Sequence, residues 1–435
     1  MAITKKNLVV VGCGKLGAPL VACLANSGHK VIGVDVSKEL IENLDSGIVT
    51  WNEPGLAQLI SDNKTNITFQ GSYEGAFKNT EATFIIVPTP SVLTGEFSNK
   101  FVLDAVTKVG EELSKTLKSK HLVVIVSTVM PGSTQGEIKK TLHDAAGKVA
   151  KDVRICYSPE FIALGTVIKN MRFPDMVLMG EEEKEAGDLL AEISLSIVKN
   201  TPQVMRLTLS EAEICKIAIN SFVTTKISFS NQISEICEMT TGASAQRVLS
   251  AIGADSRIGR SYLNAGTGFG GPCFPRDNRA FRKYANSIGV DADLSIATDS
   301  INVRQNQRII RLIEGKVAPG SKILVVGLSY KPDTDVIEES PAVAFIERAQ
   351  QAGYLVDAID DHVKKLQTTQ PLKIFTTNSL GTAEYSAAIL FVPSKKYMGI
   401  PGRLSSKTKL IDLWGLWENT LDHDYTRLGD FFEVK

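Results

Sequence analysis

One segment of the chain, GTGFGGPCFPRD at 266–277, places a thiol beside groups that could activate it. Four glycines and a proline lie among the seven residues before Cys273, as in a loop whose backbone comes close to another group. A free thiol is mostly protonated at neutral pH, so a catalytic cysteine needs polar neighbours, and Arg276 and Asp277 are available here. Cys273 is therefore a candidate nucleophile, while a buried, small apolar residue remains the alternative. The other five cysteines, Cys13, Cys23, Cys156, Cys215 and Cys237, are interpreted as buried apolar residues.

A second pair of polar residues lies in the apolar stretch CKIAINSF at 215–222. Lys216 and Asn220 are four residues apart, so on a helix they lie one turn apart on one face. A cation and an amide donor on a buried face can stabilise an oxyanion. On these residues alone, an exposed lysine and an asparagine that packs between helices is the favoured interpretation.

The third candidate site is the glycine motif GCGKLG at 12–17. It follows the apolar run LVVV and precedes the helical pattern APLVACLANSG. In a dinucleotide-binding loop, Gly12 makes the turn, Gly14 lets the backbone approach a pyrophosphate, and Gly17 lets helix and strand pack closely. Asp35 ends the next predicted strand, where a carboxylate binds both ribose hydroxyls and disfavours a 2′-phosphate. The motif predicts an NAD site; a glycine turn without a ligand is the alternative.

The elements that would carry these residues begin with a series of buried strands. Short β-branched runs occur at 7–12, 30–35, 82–90, 121–128, 152–160 and 175–180, separated by helical patterns. Continuous apolar runs of this kind are typical of a parallel sheet covered on both faces. Residues 1–205 are therefore predicted to form a doubly wound α/β domain.

The pattern changes at Ser210, where about thirty residues follow without Gly or Pro and with apolar residues at helical spacing. One long helix is expected here, begun by a capping box between Ser210 and Glu213. We predict a central helical domain over 206–310, in which this helix also acts as a strut between domains.

Strands return after Ser321, at 322–332, 353–361, 387–394 and 408–415. The run GYLVDAID at 353–360 resembles GHKVIGVD at 28–35 in its leading glycine and its final acid. A second, smaller Rossmann-like domain is predicted over 311–435. Its first turn, GLSYKP, lacks two of the glycines of a dinucleotide loop, so Asp360 is expected to end a strand without binding a cofactor.

Composition narrows the class of protein. The 435 residues are 43% hydrophobic and 22% charged, and 48 Lys plus Arg balance 48 Asp plus Glu. This balance gives no electrostatic case for nucleic acid or a membrane surface as partner. The scattered cysteines are interpreted as reduced thiols, with neither disulfides nor a metal site. The basic, apolar start leads into the glycine loop rather than a cleavage site, so we expect no signal peptide and a cytoplasmic protein.

Taken together, the motifs resemble those of the UDP-glucose/GDP-mannose dehydrogenase family, from about residue 7 to about 415. The most specific are GFGGPCFPRD and KIAIN at 216–220. The supporting segments are GCGKLG, EPGL at 53–56, VPTP at 87–90, STVMPGST at 127–134, SPEF at 158–161, TKISF at 225–229, DSRIG at 255–259, SYKPDTD at 329–335 and ESPA at 339–342. The 6-phosphogluconate and 3-hydroxyacid dehydrogenases share the first domain and the long helix but have no such cysteine.

The resemblance implies an α/β fold of two Rossmann-like domains joined by a helical region, and a four-electron oxidation at C6 of a nucleotide sugar that uses two NAD. Cys273 would capture the aldehyde as a thiohemiacetal that is oxidised to a thioester. Lys216 would stabilise oxyanions, Asn220 and Asp277 would hold or activate water, Glu160 would relay protons, and Thr128 would bind water near the nicotinamide.

The same resemblance supplies binding residues. Cofactor contacts are expected from Gly12, Gly14, Leu16, Gly17, Asp35, Pro88, Thr89 and Thr128. Substrate contacts are expected from Glu160, Phe161, Lys216, Asn220, Arg257, Phe269, Gly270, Phe274 and Lys331. Arg257 would reach the sugar nucleotide across a homodimer interface built on the long helix, and Lys331 would close over the diphosphate. The partners are thus a nucleotide sugar and a second copy, with no nucleic acid, membrane or metal.

Four positions differ from the pattern of UDP-glucose enzymes: Leu40, Leu164, Glu338 and Trp414. Three of them concern cofactor contacts, and Trp414 concerns the base or the sugar. UDP-glucose is the expected substrate, and a UDP-N-acetylhexosamine or another nucleotide hexose is the alternative. A catalytically silent nucleotide-binding dimer, or a two-electron alcohol dehydrogenase, would be the other outcomes.

Overall fold

The structure is a computed structural model that describes residues 4–117, 119–381, 384–417 and 422–431. The chain forms two compact units, residues 1–218 and residues 219–435.

The first unit is built on a sheet of eight strands. They are β1 (Asn7–Val11), β2 (Lys30–Val34), β3 (Ile67–Gln70), β4 (Ala82–Ile85), β5 (His121–Ile125), β6 (Val153–Tyr157), β7 (Met176–Glu181) and β8 (Gln203–Leu207). Their order in the sheet is β3-β2-β1-β4-β5-β6-β7-β8. All neighbours pair in parallel except β6 and β7, which are antiparallel. The order reverses beside β1, so the carboxyl ends of β1 and β4 flank the crevice where such folds bind ligands.

Helices cover both faces of this sheet. They are α1 (Gly17–Asn26), α2 (Lys38–Asp45), α3 (Leu56–Asp62), α4 (Lys100–Thr116), α5 (Lys139–Ala146), α6 (Val167–Arg172) and α7 (Lys184–Ile197). Side chains alternate along β1, so Leu8 and Val10 join one buried cluster while Val9 and Val11 join another. The first cluster includes residues of α1 and α7, and the second includes residues of α4 and α5. The predicted doubly wound sheet is thus confirmed.

The long helix α8 runs from Leu209 to Glu238. Its capping box was predicted two residues too late in the chain. Thr208 and Glu211 form it: the Thr208 amide donates to Glu211 Oε2 at 2.8 Å, and the Glu211 amide donates to Thr208 Oγ1 at 3.3 Å. Glu213 is buried and binds elsewhere, because its carboxylate accepts backbone amides from a neighbouring loop.

The second unit contains the remaining helices, α9 (Ala245–Ala254), α10 (Phe274–Ser287), α11 (Asp293–Glu314) and α12 (Pro341–Gln351). Its strands are β9 (Lys322–Val326), β10 (Leu355–Ile359), β11 (Lys373–Phe375), β12 (Ala387–Leu390), β13 (Lys409–Asp412) and β14 (Tyr425–Arg427). They form one parallel sheet in the order β11-β10-β9-β12-β13-β14. This is the second Rossmann-like sheet, and along the chain a helical region separates it from the first.

Within the residues that the structure describes, no helix is both long enough and apolar enough to cross a membrane.

Candidate active site

The glycine loop after β1 has the geometry that a dinucleotide requires. Gly12 has φ +93°, and a Cβ there would collide with the carbonyl oxygen of Ile86. A Cβ on Gly17 would collide with the carbonyl oxygen of Gly12, so this glycine lets α1 pack against the turn. A Cβ on Gly14 would have no atom within 4 Å, which leaves the backbone open at the position where a pyrophosphate lies. Leu16, at the N-cap of α1, makes no side-chain capping bond.

Asp35 follows β2 and connects the loop to the next turn. Its Oδ2 accepts the Cys13 amide at 2.8 Å and its Oδ1 accepts the Ser37 amide at 2.9 Å. Each carboxylate oxygen has a second lone pair for a ribose hydroxyl. The loop, the open backbone at Gly14 and this acid fit NAD, which would supply the hydride acceptor of the reaction.

The loops after β4 and β5 are joined by hydroxyl groups. Thr89 Oγ1 donates to the Thr128 carbonyl at 2.7 Å. The Val87 amide donates to Ser127 Oγ at 2.9 Å, and that hydroxyl donates back to the Val87 carbonyl at 2.7 Å. Pro88 lies exposed between these contacts. Three of the predicted cofactor-binding residues, Pro88, Thr89 and Thr128, are therefore brought together.

Glu213 fixes the continuation of the second of these loops. Its Oε2 accepts the Gly132 amide at 2.6 Å and its Oε1 accepts the Thr134 amide at 2.8 Å. Burial raises the pKa of Glu213, and the hydrogen bonds from Thr134 and Gly132 oppose that rise. The buried carboxylate thus attaches the loop that carries Thr128 to the start of α8.

Lys216, Glu160 and Phe161 also meet. Lys216 is only 7% exposed, so the expectation of a solvated lysine is wrong. Its Nζ donates to the Glu160 carbonyl at 2.6 Å and lies 4.4 Å from the centre of the Phe161 ring. Burial raises the pKa of the Glu160 carboxyl to about 7, against the lowering effect of the Lys216 charge. A carboxyl with this pKa can accept or release a proton near neutral pH.

In the second unit, Cys273 is exposed and lies at the N-cap of α10. Among the described cysteines, Cys13, Cys23, Cys156 and Cys237 are buried as predicted, whereas Cys215 is only half-buried. Burial and, to a smaller extent, the charge of Cys273 raise the pKa of Tyr330 to about 12. Helix N-termini favour negative charge, and a thiolate is the nucleophilic form of cysteine.

One turn into α10, Asp277 is fully buried and pairs with Asn220. Asn220 Nδ2 donates to Asp277 Oδ2 at 2.6 Å, and Arg276 Nε lies 3.2 Å from Asp277 Oδ1. The Asp277 amide also donates to the Cys273 carbonyl at 2.8 Å. Asp277 therefore connects two other predicted catalytic residues: it lies one helical turn from Cys273 and one hydrogen bond from Asn220.

The glycine-rich segment before Cys273 is closely packed on all sides. The Phe269 amide and carbonyl bind Asn302 Oδ1 and Nδ2 at 2.7 and 3.0 Å. A Cβ on Gly270 would collide with the Glu339 carbonyl oxygen, and one on Gly271 would collide with the ring of Tyr330. These glycines are required by packing, whatever they also contribute to substrate binding.

Three predicted substrate residues lie apart from this cluster or at its edge. The Phe274 ring makes an edge contact with Tyr262, with centroids 6.2 Å apart. Arg257 is exposed and binds Asp255 two residues earlier, with Nη2 2.6 Å from Oδ2. Lys331 Nζ lies 5.8 Å from the centre of the Tyr330 ring, next to the cysteine loop.

The four unusual positions have structural roles here. Leu40 and Leu164 pack against the same hydrophobic cluster of the first unit. Glu338 has an exposed side chain, and its carbonyl accepts the Gly271 amide at 3.0 Å. Trp414 Nε1 donates to the Phe391 carbonyl at 2.8 Å, and a Cβ on Gly266 would come within 2.6 Å of its ring.

Asp360 binds the Leu328 and Ser329 amides with Oδ2 and the His362 and Val363 amides with Oδ1.

Ser127, Asn302 and Tyr330 were not predicted as part of the site, and Glu213 was predicted only as a capping residue. Tyr330 lies in SYKPDTD and Ser127 in STVMPGST, so the motifs contained a signal for both. Nothing in the local pattern indicates Asn302, which sits in an ordinary helical stretch.

Comparison with known proteins identifies the family of the chain. Three family profiles match in order along the chain. They are the NAD binding domain at 6–198, the central domain at 210–304 and the UDP binding domain at 324–419 of the UDP-glucose/GDP-mannose dehydrogenase family.

Individual relatives cover most of the sequence. The UDP-glucose 6-dehydrogenase of Haloferax volcanii is 35% identical over 80% of this chain and 81% of its own. A GDP-mannose 6-dehydrogenase of Pseudomonas putida is 32% identical over 82% of this chain and 81% of its own. A UDP-glucose dehydrogenase structure from Pyrobaculum islandicum superposes with a TM-score of 0.87 at 28% identity, covering 99% of both chains. The chain belongs to the UDP-glucose/GDP-mannose dehydrogenase family and is an NAD-dependent nucleotide-sugar 6-dehydrogenase.

Proposed function

We propose that the enzyme oxidises C6 of UDP-glucose to the carboxylate of UDP-glucuronate through a covalent intermediate on Cys273. The observation that carries the proposal is the exposed Cys273 thiol at the first turn of α10, one turn from the buried Asn220–Asp277 pair. An aldehyde is reactive and readily hydrated, so covalent capture keeps it bound between two oxidations.

The reaction balances with two hydride acceptors and one water. The C6 hydroxyl loses a proton and a hydride to become an aldehyde. The Cys273 sulfur then adds to the aldehyde carbon, forming a C–S bond and a thiohemiacetal. Loss of the second hydride and a proton gives a thioester. Water attacks the thioester carbon, the C–S bond breaks, and the thiolate and the carboxylate are released.

The surrounding groups divide the remaining work. Lys216, buried and already oriented by the Glu160 carbonyl, stabilises the alkoxide and the oxyanions that form at C6. Glu160 moves protons, since its pKa of about 7 suits both directions. Asn220 and Asp277 orient the water of the hydrolytic step, and Thr128 holds a water near the nicotinamide.

The binding assignments follow the same division. We assign NAD to Gly12, Gly14, Leu16, Gly17, Asp35, Pro88, Thr89 and Thr128. We assign the sugar nucleotide to Glu160, Phe161, Lys216, Asn220, Arg257, Phe269, Gly270, Phe274 and Lys331. The bidentate Arg257–Asp255 pair would have to open before Arg257 reached a phosphate or ribose.

The decisive experiment compares Cys273→Ser with Cys215→Ser, a matched change at the half-buried cysteine of α8. The Cys215 variant should form two NADH per sugar at the normal rate. The Cys273 variant should stall or accumulate a slowly hydrolysed intermediate, since a hydroxyl is a poorer nucleophile and leaving group. Normal acid production by Cys273→Ser would refute the covalent mechanism, and one NADH per sugar in the unmodified enzyme would indicate a two-electron dehydrogenase.

Trp414 supports a second candidate substrate, a UDP-N-acetylhexosamine or another nucleotide hexose. Its indole ring packs against Gly266 at the start of the cysteine loop. A large aromatic ring therefore stands just after β13, where the pattern of UDP-glucose enzymes has a flexible cation. Relatives of similar identity act on UDP-glucose and on GDP-mannose by name. A panel of UDP-, GDP- and dTDP-sugars, followed by NADH absorbance, separates the candidates: the substrate is the sugar with the highest kcat/KM.

We further propose three functional domains, an NAD domain over 1–205, a helical dimerisation domain over 206–310 and a sugar-nucleotide domain over 311–435. A homodimer is supported by the exposed Phe222, Phe229 and Ile236, which recur every seven residues on α8. The free cysteines support a reducing compartment, so we propose the cytoplasm. Fractionation of cells with an antibody to the chain tests that location.

A further inference from the structure

The segment that leads to Cys273 is held by side-chain amides rather than by secondary structure. Gly266 N donates to Asn231 Oδ1 at 3.1 Å, and Asn231 Nδ2 donates to the Thr267 carbonyl at 3.2 Å. The Gly266 carbonyl accepts Gln305 Nε2 at 2.5 Å. Asn302 binds both the amide and the carbonyl of Phe269. Three amide side chains therefore satisfy five backbone groups of a loop that has no strand partner.

One guanidinium orients the side-chain amide of Gln305 and also binds the backbone carbonyl of Asn231. Arg308 Nη1 donates to Gln305 Oε1 at 3.0 Å, which leaves the Gln305 NH2 group directed at the Gly266 carbonyl. Arg308 Nη1 also donates to the Asn231 carbonyl at 3.2 Å. An amide can bind either way round, so the contact from Arg308 decides which end of Gln305 faces the loop.

All five N–H groups of Arg308 are used. Nε binds Glu238 Oε2 at 2.9 Å, and Nη2 binds Glu238 Oε1 at 2.5 Å and Ser234 Oγ at 2.8 Å. Both charged residues are buried, and Glu238 Oε1 also accepts the Gly429 amide at 2.7 Å. Burying such a pair seldom adds stability over apolar residues of the same volume, so its benefit lies in fixing a geometry.

We infer that Arg308 and Gln305 are positioning residues that set the path of the loop carrying Cys273; this inference rests on the proposed role of Cys273 as the nucleophile. The path from Gly266 to the sulfur is short and restrained at several points. After Gly266 and Phe269, the Gly271 amide binds the Glu338 carbonyl, Pro272 has a fixed φ, and Cys273 is the N-cap of α10. The segment between Gly266 and Cys273 can therefore absorb little of a shift at Gly266, and we expect the shift to reach the thiol.

The test is Gln305→Glu, which keeps the shape of the side chain and adds a charge that Arg308 can pair with. It removes the NH2 group and sets a carboxylate oxygen against the Gly266 carbonyl, so the loop must move while the ion pair remains. Gln307→Glu is the matched control, because this exposed residue lies on the same helix. We expect Gln305→Glu to lower kcat about 10- to 100-fold, since small misplacements of reacting groups cost that much. KM for NAD should stay within about threefold.

The thiol itself provides the second readout. We expect the rate of Cys273 alkylation by iodoacetamide, followed by mass spectrometry of its peptide, to change at least threefold in Gln305→Glu and to stay unchanged in Gln307→Glu. Arg308→Lys should act like Gln305→Glu, because a lysine has three donors where five are used. Equal kcat and equal alkylation rates in Gln305→Glu and Gln307→Glu would overturn the inference. Acid production by Cys273→Ser would instead remove the nucleophile assignment and leave the loop measurement standing.

Discussion

Among the individual residues, Glu160 has the property most easily tested. Its carboxyl has a pKa of about 7 because burial disfavours the anion more than Lys216 favours it. Below about pH 7 the group is neutral and can donate a proton, and above it the carboxylate can accept one from the C6 hydroxyl. We expect kcat to rise with pH through an inflection near 7. Glu160→Gln should lower kcat about 100-fold and remove that inflection.

The same carboxyl should respond to its neighbour. Lys216→Gln removes the cation that lowers the pKa of Glu160, so the carboxyl should titrate at higher pH. Infrared or NMR titration of the carboxyl measures this without relying on activity. An unchanged or lower pKa in Lys216→Gln would mean that the two side chains do not interact as the structure indicates.

Sequence motifs indicated the candidate reactive residues but not the groups that hold them. Residue type and spacing made Cys273 a candidate, with Asp277 as its neighbour, whereas Lys216 and Asn220 were chosen on the family resemblance. Asn302 and Gln305 are ordinary residues on α11, and only the fold brings them to a loop more than thirty residues away, with Arg308 behind Gln305. Long-range contacts of this kind leave no local signal.

For the elements, the glycine loop yields a contrast between two substitutions. Gly14→Ala meets no atom within 4 Å, so the unliganded protein should fold normally. The added methyl group occupies space needed by the pyrophosphate, and the affinity for NAD should fall at least tenfold. Gly17→Ala collides with the Gly12 carbonyl oxygen and should destabilise the whole first unit.

Calorimetric melting and NAD titration distinguish these two effects. Gly14→Ala is expected to keep the melting temperature and lose affinity, and Gly17→Ala is expected to lose both. Asp35→Ala completes the set, because it should weaken NAD far more than the sugar nucleotide. If Asp35→Ala weakened both ligands equally, the assignment of the loop to NAD would be wrong.

The strands that sequence patterns predicted are the central ones. Those in the middle of each sheet, such as β1 and β12, are apolar on both faces and easily recognised. The four strands that were not predicted are the edge strands of the two sheets, which contain more exposed or polar residues: β3, β8, β11 and β14. The capping box was misplaced for a different reason. The pairs Thr208–Glu211 and Ser210–Glu213 have the same spacing, and only tertiary contacts decide between them.

At the scale of the whole molecule, acid stability should depend on a buried histidine. His121 is buried at the start of β5, where Nδ1 binds the Thr80 carbonyl at 3.0 Å and Nε2 binds Thr83 Oγ1 at 2.9 Å. Burial lowers its pKa from 6.5 to about 4, although the Thr80 contact opposes the shift. Between these two pH values, the imidazole is therefore protonated in the unfolded chain and neutral in the folded chain.

Because the pKa of His121 is lower in the folded chain than in the unfolded chain, the free energy of unfolding has its full value above pH 6.5 and decreases as the pH falls towards 4. The loss amounts to about 3 kcal/mol for one histidine. Denaturant unfolding at pH 7, 5.5 and 4.5 should show this slope, and His121→Gln should reduce it by about one proton. An identical slope in that variant would exclude His121 as the source.

Assembly gives the last prediction. Phe222, Phe229 and Ile236 are exposed on α8, and their seven-residue spacing places them along one side of the helix, as in a seam between paired helices. Phe229→Glu would place a charge in such a seam, where it would be buried without a partner, so the proposed dimer should dissociate. Sedimentation velocity should show half the mass of the unmodified enzyme. Leu355→Glu, at an exposed apolar residue of β10, is the control and should leave the mass unchanged. If Phe229→Glu kept the mass of the unmodified enzyme, the helix would not be the interface. If Arg257 serves a partner's site, kcat should also fall in step with the dimer fraction on dilution.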